Sequence, residues 1–136
     1  MTDFEMVYMF SDYMNLIFTV FMGHVSIVFA FLIAGFLVAG RLEKSMVSVV
    51  VILFTIAVSI STFIQNRFGG AMIGVAGEMR KAVQRGESTL SWHSVTYEPE
   101  VFLSGFMLIL SILMILSYLG ALIFFFHRRR IALAAG

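Results

Sequence analysis

Cysteine is absent from the chain. That excludes disulfides, thiolate metal sites and cysteine nucleophiles, and it leaves the redox compartment unread. Charge is scarce: Asp, Glu, Lys and Arg make up 12% of the residues, against roughly 25% in a typical soluble domain. The formal net charge is only +1, so no strong field invites nucleic acid, and nucleic acid is not an expected partner. Proline occurs once, at Pro99. No Asn-x-Ser/Thr sequon is present, and no Walker, G-x-S-x-G, H-E-x-x-H or G-x-G-x-x-G motif. Ser, His and acidic residues do not meet at one depth. An enzyme acting through this chain alone is therefore not expected. The acidic start, Thr2-Asp3-Phe4-Glu5, lacks the basic flank of a signal peptide, and the first apolar stretch is too long for one. That stretch is expected to be retained.

What the sequence has is apolar residues, 60% of the 136, gathered in three blocks. Residues 13–40 contain no Asp, Glu, Lys or Arg, and the second and third blocks run over 45–66 and 101–126. About 20 apolar residues cross a bilayer as a helix. The 28 residues of the first block extend roughly 42 Å at about 1.5 Å each, so this helix is expected to tilt or project. A β-barrel needs short alternating segments, which are missing. Helices satisfy their own backbone polar groups, so the expected fold is an all-α integral membrane protein of three transmembrane helices in a single domain over 1–136.

The breaks follow local chemistry. Gly40 is expected to end helix 1 in the left-handed conformation, and Ser45 to cap helix 2. Only Arg41, Leu42, Glu43 and Lys44 lie between, which predicts an antiparallel hairpin of helices 1 and 2. Pro99 suits the first turn of a separate helix 3, where Glu98 and Glu100 favour the positive helix end. Lys and Arg near the spans set orientation. Arg41, Lys44 and Arg128–Arg130 share one side, assigned to the cytoplasm, with the N-terminus and the 67–100 connection outside. Arg67, Arg80, Lys81 and Arg85 weigh against this, five cations to four. Tyr8, Tyr13, Trp92 and Tyr97 gather at the outer level, where amphipathic rings favour headgroups.

In the outer connection, Phe68-Gly69-Gly70 is expected to break helix 2. Beyond it Phe68, Met72, Val75, Ala76, Met79 and Val83 recur at helical spacing, predicting an amphipathic helix that stops at Gly86. Two readings stay open. The helix lies on the lipid surface, or helix 2 continues outward as a stalk packed on a partner. Residues 87–97 are read as a short extended segment or an ordered loop. Arg80, Lys81, Arg85, Trp92 and the Arg128, Arg129, Arg130 cluster are candidate contacts for lipid headgroups or a partner.

Polar residues inside the spans form two stripes. Asp12, Asn15, Thr19, Gly23, Ser26 and Ala30 share a narrow arc of helix 1; Ser48, Thr55, Ser59, Thr62 and Asn66 mark helix 2. They either line a wet path or serve close packing, since hydroxyls can return their bonds to the carbonyl four residues back. Small residues at Ala30–Ala34, Gly35–Ala39 and Ser117–Ala121, with Gly120, allow close approach of helices. His24 near the middle of helix 1 is weighed as a haem or metal ligand or a proton relay against a neutral histidine hydrogen-bonded between helices. The second reading is favoured. His93 and His127 lie too far off to join it, so no metal site is predicted, and no cofactor is required. Asp12 reads more readily as an interfacial anchor than as a cation-attracting ring.

Three functions remain. The first is a non-catalytic structural or accessory subunit that docks on itself or on other membrane subunits, in contact with lipid. The second is a homo-oligomeric pore or ion-conducting subunit lined by the two stripes. The third is a cofactor-binding membrane subunit using His24.

Overall fold

The computed structural model describes residues 2–87 and 99–134. The segment expected to be extended or looped over 87–97, Trp92 included, lies almost wholly outside the described residues. The described chain is all-α, with α1 at Asp3–Val38, α2 at Lys44–Gln84 and α3 at Pro99–Ala134. All three helices are long and apolar enough to cross a membrane, with windows of mean hydropathy 2.4, 2.6 and 2.6.

α1 begins ten residues before its apolar block. The cause is a capping box. The Glu5 backbone N–H donates to Thr2 Oγ1 at 3.3 Å, and the Thr2 N–H donates back to Glu5 Oε2 at 2.7 Å. Two otherwise orphaned donors are satisfied, and Asp3 and Glu5 complement the positive helix end.

Two expected caps are corrected. Gly40 does not take a left-handed conformation; among the described glycines only Gly86 has positive φ. Carbonyls just beyond the α1 end are met instead by Arg129, whose Nη1 donates to Ala39 O at 2.9 Å and Leu42 O at 2.8 Å. Gly40 serves a close approach, since a Cβ there would strike the Cβ of Ala132. Ser45 does not cap α2. The helix starts one residue earlier, and the Glu43 carbonyl accepts its first bond from the Val47 N–H at 3.0 Å.

The expected break at Gly69-Gly70 is also corrected. α2 runs unbroken through both glycines for 41 residues, so the amphipathic stretch is the continuation of helix 2 and not a helix of its own. Gly69 is buried, and a Cβ there would collide with the Met107 side chain. That close packing offsets the roughly 1 kcal/mol that glycine costs inside a helix. The stop at Gly86 does occur, with φ 70. Glu87 N–H donates to Ala82 O and Gly86 N–H to Val83 O, each at 3.0 Å, the paired bonds of a Schellman motif.

The residues group into two compact units, each drawing on all three helices: 1–20 with 64–110, and 21–63 with 111–136. In the first, Met6 packs with Val75, Met79 and Ala82, bordered by Met9, Phe10 and Tyr13. The amphipathic stretch of α2 therefore turns its apolar face toward α1. In the second, Val28, Phe31, Ala39, Val47, Phe54, Val58, Ala121 and Phe125 form the core. Phe31 stacks on Phe54 at 3.8 Å between ring centroids, and Phe125 lies 5.0 Å from Phe31. Gly35 makes room for Phe125, whose Cδ2 would lie 3.0 Å from a Cβ. Gly35 and Ala39, a predicted small-residue pair, are both buried. Outside these cores the surface is apolar: Phe36, Ile123 and Leu116 are 61%, 71% and 58% exposed.

Candidate functional site

His24 is 1% exposed in the second unit. Its Nε2 lies 2.9 Å from Ser117 Oγ on α3. Ser117 uses its single proton on the Met114 carbonyl at 2.8 Å. The hydroxyl can then only accept from the ring, so His24 carries its proton on Nε2. Nδ1 is buried without a hydrogen-bond partner. Haem or metal ligation through Nε2 would require breaking the Ser117 bond. Among the described residues no three His, Asp or Glu side chains converge as a metal site.

A second interhelical bond joins Thr55 Oγ1 to Tyr118 Oη at 2.9 Å. Thr55 also donates to the Val51 carbonyl at 2.8 Å, so Tyr118 is the donor between them. The Tyr118 ring stacks against Phe54 at 5.4 Å. The pairing of Ser117 and Tyr118 with residues of α1 and α2 escaped the sequence reading. Ser117 was legible only as half of a small-residue spacing.

The α1 stripe lies on the outside. Asp12, Asn15, Thr19, Gly23, Ser26 and Ala30 are all exposed, centred roughly 150° from the buried face marked by Ile17, His24, Val28 and Phe31 at about 100° per residue. On α2, Ser48, Ser59 and Asn66 are exposed, while Thr55 and Thr62 are half-buried. The stripes therefore do not meet as an internal path. Their hydroxyls mostly bond backward: Thr19 to Asn15 O, Ser26 to Met22 O, Ser48 to Lys44 O and Thr62 to Val58 O, at 2.8 to 3.2 Å. Such side chains need no water.

Three of the cations expected to meet lipid headgroups, Arg80, Lys81 and Arg85, have acidic partners. Arg80 Nη1 bonds Glu100 Oε2 at 2.9 Å, Lys81 bonds Glu78 at 2.8 Å, and Arg85 bonds Glu87 at 2.9 Å. Gly77 lets the Glu100 carboxylate approach, with Oε1 3.1 Å from where a Cβ would stand. Met6, Glu78, Ala82, Arg85 and Glu87 line an open cleft of about 210 Å³. In the second unit Arg128 stacks over Phe36, 4.7 Å from the ring centroid, beside the capping Arg129. Arg130 is exposed, and Trp92 lies outside the described residues.

Sequence reasoning missed Gln65. It is fully buried, and neither side-chain polar atom has a hydrogen-bond partner. Its position at the end of the 45–66 block, two residues before Arg67, carried no signal of burial.

No protein family, curated protein or solved structure matches this chain.

Proposed function

We propose that this chain is a non-catalytic structural or accessory subunit of an oligomeric membrane complex. In this reading the three helices cross the bilayer, α1 and α2 as an antiparallel hairpin. The N-terminus is outside, and the Arg128–Arg130 end is cytoplasmic by the positive-inside rule.

The outward stripe of α1 carries the proposal. A carboxylate, a carboxamide, two hydroxyls and a glycine occupy the face turned away from the chain's own packing. Lipid supplies no attraction for such a face, whereas a second protein surface offers close backbone approach and hydrogen bonds. The apolar side chains beside the stripe fit lipid as solvent. Native mass spectrometry after gentle extraction tests this. Complexes well above 15.2 kDa are expected, and a monodisperse monomer refutes the reading. Tags at either terminus, probed from each side of the membrane, test the orientation.

The same exposed stripe supports a second reading, a pore formed where several copies turn α1 toward a common axis. It predicts conductance in planar bilayers that changes on Asp12→Ala. Bilayers silent under voltage, tension and pH change refute it.

A further inference from the structure

In the first unit, Tyr13 of α1 and Phe68 of α2 are in ring contact, 6.4 Å between centroids. This sets Asp12 and Arg67, their chain neighbours, at one level of the structure. Each sits at the edge of its apolar block, Asp12 just before 13–40 and Arg67 just after 45–66. Both are exposed. Each points away from the packed face of its own helix, defined by Met6 and Ile17 on α1 and by Gln65, Gly69 and Met72 on α2.

The other described cations of this unit pair with carboxylates inside the chain: Arg80 with Glu100, Lys81 with Glu78 and Arg85 with Glu87. Asp12 and Arg67 make no ion pair with any described residue. Two opposite charges thus stand at the same level, on outward faces of different helices. At the edge of an apolar layer an unpaired charge is costly, and the attraction of a facing opposite charge is strengthened.

We propose that a second copy of this chain docks here, with Asp12 of one copy against Arg67 of the next. This rests on the oligomeric reading above and names the contact that builds it. The surfaces suit each other beyond the charges. Gly70 and Gly74 share the outward face of α2 with Arg67, and a Cβ at either would meet nothing within 4 Å, so a facing helix can approach the α2 backbone. The facing α1 surface offers the small polar side chains Asn15 and Thr19, both exposed. The contact closes as a two-fold pair, with Asp12 against Arg67 in both directions, or runs head-to-tail into a ring or an open row.

The test uses the intact chain in membranes. With no native cysteine, chains carrying Asp12→Cys and chains carrying Arg67→Cys are co-expressed and oxidised. Disulfide dimers are expected between unlike chains and not within either population alone. Asp12→Arg or Arg67→Asp is expected to lower the oligomeric fraction about tenfold, and the double exchange to restore it. If wild-type oligomers persist, the single reversals leave them intact and no unlike-chain disulfide forms, the charges serve headgroups, and this contact falls while the oligomeric reading stands. Loss of assembly in the single variants without rescue in the double exchange also overturns the contact. A monomeric wild-type chain overturns both readings.

Discussion

Removing the Ser117 hydroxyl tests the polar core most directly. In Ser117→Ala the His24 Nε2–H, now bonded at 2.9 Å, loses its acceptor. The ring is 1% exposed and its Nδ1 already lacks a partner. A hydrogen bond between membrane helices contributes about 0.6 kcal/mol on average. An orphaned buried donor costs about 1–3 kcal/mol. Ser117→Ala is therefore expected to destabilise by about 1–2 kcal/mol, roughly a five- to thirtyfold change in the unfolding equilibrium. His24→Leu behaves differently, because it leaves Ser117 bonded to the Met114 carbonyl. With Leu in place of His24, Ser117→Ala is expected to be nearly silent. The assay is reversible unfolding of the purified protein in mixed micelles, run as a double-mutant cycle. A coupling energy near 1 kcal/mol supports the pair, and one below about 0.3 kcal/mol refutes it.

Arg129→Leu is expected to cost about 1.5–3 kcal/mol by freeing the Ala39 and Leu42 carbonyls; faster hydrogen exchange across 38–44 reports it, and unchanged exchange contradicts it. Gly40→Val overfills the approach to Ala132 and should lower unfolding stability by about 1–3 kcal/mol, whereas Gly120→Ala, with nothing within 4 Å of its Cβ position, should be tolerated. The Arg80–Glu100 pair is about one-third exposed on each side, so Glu100→Gln is expected to cost under about 1 kcal/mol, less at high salt; a salt-independent loss of several kcal/mol would contradict that.

Three long apolar helices are legible in the sequence because that property is additive along the chain. Runs free of charge at 13–40, 45–66 and 101–126 need no knowledge of neighbours. The Schellman stop at Gly86 and the helix start at Pro99 are equally local, set by backbone chemistry within a few residues. Thr2 and Glu5 also carried their capping box in plain spacing, though the segment reads at first as merely acidic.

What only the tertiary structure decided is what lies beside each residue. Gly40, Gly69 and Gly77 have the same composition-level signature, yet they face Ala132, Met107 and Glu100. The first is no left-handed cap and the second no break, because a glycine's conformation follows from the contacts that the missing side chain permits. The α1 stripe is visible from periodicity, but whether it faces inward depends on the opposite face. There His24, Val28 and Phe31 pack against residues far away in sequence, and the stripe is left outside. His24 finds its partner 93 residues away. Apolar length is a sum over neighbours in sequence; pairing is a property of neighbours in space.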